Sequence, residues 1–196
     1  MATGNITGII LAGGQARRMG GQDKGLVQLN RKPMIEYVLN AIKPQVDDII
    51  INANRNQTVY EKYGFPVVTD QIEGYCGPLA GMASGLEQAK TPFVVTVPCD
   101  SPLIPGDLVH KLYSTLQDED AEICTAHSNG RLQPVFTLMK SELLSSMLDF
   151  LNDGERKIDK WFEKHRLAIA DFSEQPETFI NINSAEELAA IELKLK

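Results

Sequence analysis

Cysteine is scarce in this chain, and the three present, Cys76, Cys99 and Cys124, form no C-x-x-C pair. A sparse, odd set excludes a disulfide framework and fits a reducing cytoplasm. Histidine is equally rare: His110, His127 and His165 are scattered, without zinc-ligand spacing. No apolar run approaches the length of a membrane span. The start, MATGNITG, lacks the basic and then apolar stretches of a secretory signal. Positive charge is in short supply, with 19 Lys and Arg against 26 Asp and Glu and a net charge of −7. That balance argues against general nucleic-acid or membrane-surface binding. Two nucleotide motifs are missing too: no Gly-Lys-Ser/Thr of a P-loop, and no G-x-G-x-x-G. No repeat, low-complexity tract or linker divides the 196 residues, and a hydrophobic share of 43% is ordinary for one domain with a sizeable core.

Against this background the stretch from 6 to 25, ITGIILAGGQARRMGGQDKG, stands out. Ile6, Ile9, Ile10 and Leu11 form a β-branched, apolar run that reads as a strand buried on both faces. It stops at Ala12-Gly13-Gly14, and two arginines, Gly20-Gly21 and Asp23-Lys24-Gly25 follow. Glycine lets backbone N–H groups approach a ligand closely, and Arg17, Arg18 and Lys24 neutralise an anion. A turn alone needs one or two glycines, not five interleaved with three cations. The stretch therefore predicts a polyphosphate site.

The rest of the chain alternates. Strands are expected at Thr7 to Ala12, Ile49 to Ile51, Val67 to Thr69 and Phe93 to Val97. Helices are expected from Pro33 to Lys43, Thr58 to Tyr63, Gly77 to Ala89 and Pro105 to Leu116. Further strands are expected at Ile123 to Ala126 and Pro134 to Leu138, with weak ones at Ile169 to Phe172 and Phe179 to Ile182. Helices are expected at Ser141 to Leu151 and Arg156 to His165, and Ser184-x-x-Glu187 is a capping box opening the last helix. Such alternation predicts an α/β domain whose mostly parallel sheet is covered on both faces. Ligands bind beyond the carboxyl ends of such strands. Four features fall there: Ala12 to Lys24, Asn52 to Arg55, Asp70 and Asp100. The segment from Ile123 to Phe172 breaks the alternation and is expected to form a second lobe over the same edge.

The segments LAGGQARRMGGQDKG, NANR, GPLAG, PCDSP and NINSAEEL, in this order from Ile6 to Leu188, resemble the molybdenum cofactor guanylyltransferases. The first segment alone indicates a GT-A type nucleotidyltransferase; Asp23-Lys24, NANR and the terminal NIN-x-x-EEL narrow it. The resemblance implies a three-layer α/β/α Rossmann-like nucleotidyltransferase fold. It also implies the reaction of GTP with the molybdopterin-bound molybdenum cofactor to give the guanine dinucleotide form and pyrophosphate, with Mg²⁺. It implies one domain, its nucleotide-binding part about 1–120 and its acceptor-binding part about 121–196. It extends to contact with other proteins of molybdenum cofactor biosynthesis and the apoenzymes that receive the product, with neither nucleic acid nor membrane as partner. In the family, positions matching Leu11, Ala12 and Gly13, with Gly14 beside them, contact GTP, as do Lys24, Asn52, Asp70 and Asp100. The position of Asp100 also holds the metal.

The chemistry suits these residues. Joining two anions requires positioning and charge stabilisation. Lys24, assisted by Arg18, can reach the nucleotide phosphates. Asp100, after the strand FVVTV, can bind Mg²⁺, or cap the helix beyond it. Asn52 suits a base or ribose, and Asp70 can accept the N1–H and N2–H₂ edge of guanine; turn roles serve both equally well. Gly77-Pro78-Leu79-Ala80-Gly81 opens a helix N-terminus toward the site or simply turns the chain. Asn181 and Asn183 share a strand face and can reach metal or acceptor, or serve an edge strand. Arg156 can bind the acceptor phosphate, or begin a solvated helix. Competing functions are transfer of CMP from CTP to the same pterin, loading of a sugar phosphate, and a non-catalytic nucleotide-sensing module. The absence of a hexapeptide-repeat tail disfavours bifunctional sugar-nucleotide enzymes.

Overall fold

The first strand, β1 (Ile6–Leu11), alternates as a doubly covered strand should. Ile6 and Ile10 face one apolar cluster and Ile9 the other. The structure, a computed structural model, describes residues 5–12, 23–72 and 77–194. Gly13, Gly14, Arg17, Arg18 and Cys76 lie outside the described residues.

A small hairpin of β2 (Gln28–Leu29) and β3 (Lys32–Pro33) leads into α1 (Met34–Ile42). Next come β4 (Asp48–Asn52), α2 (Gln57–Tyr60), β5 (Val67–Val68), α3 (Pro78–Gln88), β6 (Phe93–Pro98) and α4 (Leu108–Asp118). The chain continues through β7 (Ile123–Ser128), β8 (Arg131–Lys140), α5 (Leu144–Asn152), α6 (Ile158–Phe162), β9 (Leu167–Asp171) and α7 (Ala185–Lys194). Seven strands form one sheet in the order β5-β4-β1-β6-β8-β7-β9. Within it β8 alone runs against its neighbours, so the expected mostly parallel sheet holds.

The two faces are covered separately. One cluster joins Ile10, Val95 and Leu138 to Val38 and Ile42 of α1 and Leu112 of α4. The other joins Ile9, Val94 and Met139 to Leu79 and Met82 of α3, Met147 of α5 and Trp161 of α6. The result is three layers. No helix of the described residues is long and apolar enough to cross a membrane.

Two expectations need correction. Residues 123–172 form no lobe over the edge, because β7, β8 and β9 extend the same sheet. Phe179 to Ile182 is irregular rather than a strand. The alternation of Ile180 and Ile182 with Asn181 and Asn183 therefore marks no strand face: Phe179 stacks edge-on against Phe136 and Phe172, and Ile182 enters a satellite cluster with Leu29, Met34 and Ile191. One backbone bond, Ile182 N–H to the Asp100 carbonyl at 2.9 Å, ties this segment to the sheet edge.

Candidate active site

The carboxyl ends of four strands are level. In the ladder Leu11 pairs with Asn52 and Pro98, and Asn52 with Val68. The ladder runs one residue further, through Ala12 N–H to the Asn52 carbonyl (2.8 Å), Ala53 N–H to the Val68 carbonyl (2.8 Å) and Cys99 N–H to the Leu11 carbonyl (3.1 Å). Residues just beyond these points are held to one edge by backbone, not by side-chain chance. This is where Leu11 and Ala12 sit.

Asp100, two residues past β6, is buried, and its Oδ2 accepts a hydrogen bond from Lys24 Nζ at 2.9 Å. Lys24 opens a short 3₁₀ turn, Lys24–Leu26. Its ammonium also donates to Asn183 Oδ1, from the segment ahead of α7. Beside them Ser101 Oγ hydrogen-bonds Asn181 Oδ1 at 2.7 Å. Lys24, Asp100, Asn181 and Asn183 therefore meet, although Lys24 and Asn183 are separated by 159 positions. α7 holds the segment through the expected capping box: Ser184 Oγ accepts from Glu187 N–H at 3.2 Å. In return Glu187 Oε2 accepts from the N–H groups of Asn183 and Ser184.

A second cluster lies two strands away, about 10 Å at ordinary strand spacing. Asn52 Nδ2 donates to Asp70 Oδ1 at 2.9 Å, and Asn54 Nδ2 to Asp70 Oδ2 at 2.8 Å. Asn54 Oδ1 in turn accepts from the Asp70 N–H at 2.9 Å. The first turn of α3 presses on this cluster at Gly81, where a Cβ would stand 2.3 Å from Asn52 Oδ1.

Arg156 bonds locally. It lies between α5 and α6, and its Nη1 donates to the carbonyls of Leu151 and Glu155, both at 2.6 Å. A cavity of about 510 Å³ lined by Thr7, Lys43, Asp47 and Lys90 shares no residue with either cluster, since it opens at the amino ends of β1 and β4.

Charge is arranged to match. Burial, reinforced by the Asp100 carboxylate, pushes the Cys99 thiol well up and keeps it neutral beside the site. Burial above all, then Cys99 and Asp23, pushes up the Tyr60 phenol, which donates to Asp23 Oδ1 at 2.5 Å. One cluster thus offers a cation and a carboxylate, suited to an anion with its counter-ion. The other offers a clamped carboxylate, suited to imino and amino donors. Sequence reading gave Asn54, Ser101, Asp23 and Tyr60 no role of their own. Three of them stood inside segments already singled out: Asn54 in N-A-N-R, Ser101 in P-C-D-S-P and Asp23 beside Lys24.

The family model for the MobA-like NTP transferase domain matches residues 8–169. A molybdenum cofactor guanylyltransferase of Shewanella sediminis is 52% identical over 182 residues, covering 93% of this chain and 93% of the relative. Among solved structures, molybdopterin-guanine dinucleotide biosynthesis protein A of Archaeoglobus fulgidus superposes with a TM-score of 0.82 at 20% identity, covering 96% of this chain and 98% of that one. The 4-diphosphocytidyl-2C-methyl-D-erythritol synthase of Anaerococcus prevotii gives 0.79 at 13% identity, covering 98% and 96%; at such identities both likenesses speak to fold alone.

Proposed function

Because the chain belongs to the MobA-like NTP transferase family, we propose that it transfers GMP from GTP to the terminal phosphate of the molybdopterin-bound molybdenum cofactor. The acceptor phosphate oxygen attacks the α-phosphorus of GTP, and the bond to the leaving pyrophosphate breaks. The relatives' name supports this reading, and its setting is the cytoplasm, where Cys99 and Cys124 stay free. The carrying observation is the meeting of Lys24 and Asp100 at 2.9 Å on the edge where such sheets bind ligands.

The residues fit a magnesium ion. Asp100 Oδ2 and Asn183 Oδ1 already hold a cation, the Lys24 ammonium, and a hard divalent ion takes such oxygens together with substrate phosphates. Asp100 would hold it, with Asn183 beside it. When bound, the ion neutralises charge on the α-phosphate and the pyrophosphate. Lys24 releases Asp100 and turns its ammonium to the nucleotide phosphates, with Arg18 and the glycines Gly13 and Gly14 assisting around them. Asp70, fixed by Asn52 and Asn54, accepts the N1–H and N2–H₂ edge of guanine. Asn181, Asn183 and Arg156 serve the acceptor from the half about 121–196.

Pyrophosphate release tests this, measured with each nucleoside triphosphate, Mg²⁺ and molybdenum-loaded pterin. Turnover is expected with GTP and is lost by orders of magnitude in Lys24→Ala and Asp100→Asn, both still folded. Equal turnover with CTP, or near-normal activity in both variants, would overturn the reading.

A further inference from the structure

Asp23 occupies the N-cap position of the 3₁₀ turn that presents Lys24, yet its side chain caps nothing there. An aspartate so placed ordinarily bonds the N–H groups of its own turn. Here the carboxylate is buried and reaches across the fold instead. Its Oδ1 accepts from the Tyr60 hydroxyl at 2.5 Å, and its Oδ2 from Asn56 Nδ2 at 3.0 Å. Asn56 behaves the same way. It is the N-cap residue of α2, makes no side-chain cap, and has a left-handed backbone with φ of 52°. Two residues of the best capping types thus give up their caps to bond each other. Burying a carboxylate against neutral donors is a poor route to stability. What the arrangement does provide is geometry.

The neighbouring residues show which geometry. Gly25 lies against the Tyr60 hydroxyl and Cys99, and a Cβ there would come within 2.6 Å of that oxygen. The backbone of the turn is closed by Leu26 N–H to the Asp23 carbonyl and Val27 N–H to the Lys24 carbonyl. With residue 23 drawn inward and residue 25 pressed on the Tyr60 hydroxyl, the side chain between them is sent to Asp100 and Asn183. We infer that Asp23, Tyr60 and Asn56 form a latch whose task is to position the Lys24 ammonium. Asp23 and Tyr60 are positioning residues for the transfer, not catalytic ones. The inference deepens the proposed function and rests on the role given there to Lys24.

The experiment is a double-mutant cycle on GTP-dependent pyrophosphate release, run below the melting temperature of every variant. Tyr60→Phe keeps the buried ring and removes only the hydroxyl; Asn56→Ala is the second probe. Each is expected to lower kcat/KM for GTP by about tenfold or more, the scale of a slightly misplaced group. In the Lys24→Ala background the same change should cost less than about twofold, because the residue it positions is gone. A lowered melting temperature with kcat/KM intact in both single variants overturns the latch. So do losses that multiply with that of Lys24→Ala. Lys24→Ala alone tests the underlying role: normal turnover there sinks that role and the latch with it. A large loss there, with Tyr60→Phe and Asn56→Ala unchanged, sinks only the latch.

Discussion

Gly81 occupies a helical position where alanine is ordinarily better by about 1 kcal/mol. Here the added methyl would stand 2.3 Å from Asn52 Oδ1 and 2.9 Å from its Cγ. Asn52 cannot retreat without giving up its bond to Asp70. Overpacking of this kind costs about 1–3 kcal/mol, so the clash outweighs the propensity. Gly81→Ala is expected to melt about 2–4 °C lower, the shift per kcal/mol for a chain of this size. It should also bind GTP more weakly in a nucleotide competition assay. A stabilised variant with unchanged affinity would show that Asn52 is not pinned. Cys99 and Cys124 make a separate test. Burial pushes the first thiol well up and the second up to about 12, so neither offers a thiolate at pH 8. Peptide mapping after iodoacetamide should find both unmodified in the native protein and modified after denaturation. At this scale the grouping of the candidate site was half legible. Lys24, Asn52, Asp70 and Asp100 stood out as polar residues closing apolar or glycine-rich runs. Tyr60 and Ser101 did not, because their partners lie 37 and 80 positions away and no local pattern records such a pairing.

The last helix shows how an element far along the chain shapes the site. α7 is anchored by Ile191 in a cluster with Val27, Leu29, Met34 and Ile182, and Glu192 Oε1 accepts from the Asn30 N–H at 3.0 Å. Its capping box fixes the residue just before it, Asn183, which meets Lys24. Ser184→Ala is expected to cost about 1 kcal/mol, read by thermal unfolding, and to lower turnover by loosening Asn183. Ser184→Asp, which also caps, should restore both. An alanine variant with wild-type melting and turnover would leave the cap without a role. Elements were the most legible level. The apolar runs of β1, β4 and β6 and the spacing of Val38, Leu39 and Ile42 in α1 gave strands and helix directly, because burial on two faces or one leaves a periodic mark. The β2–β3 hairpin was missed because two-residue strands leave none. The supposed strand at 179–182 failed for a different reason: the residues buried there, Phe179 and Ile182, stand three apart and belong to two different clusters, so no single strand face joins them.

For the whole molecule, acid stability follows from the junction between α6 and β9, where the last part of the sheet joins its covering helices. Trp161 Nε1 donates to Ser146 Oγ at 3.3 Å, and Ser146 Oγ is 2.9 Å from His165 Nε2. The other nitrogen of His165 faces Glu122, whose Oε2 accepts from the Arg166 N–H at 3.0 Å. Burial lowers the His165 pKa from its ordinary 6.5, against the opposing pull of Glu122. The unfolded chain therefore takes up this proton at a higher pH than the folded one. Where the unfolded state binds more protons, stability falls with falling pH. The His165 contribution is complete above about 6.5 and is lost as pH falls through the lower folded value. Glu122 acts in the same sense further down. The Arg166 N–H holds its carboxyl below the ordinary 4.5, so its stabilisation is present above that value and disappears in stronger acid. Urea unfolding at pH 7.5, 6.0 and 5.0 should show the wild-type protein losing stability over the interval from 7.5 to 5.0, as the unfolded chain takes up the His165 proton ahead of the folded one. His165→Gln, which keeps a hydrogen-bonding group but cannot titrate, should be nearly flat over that interval. Parallel profiles for the two proteins would remove His165 as the cause and leave the acid response to the carboxylates alone.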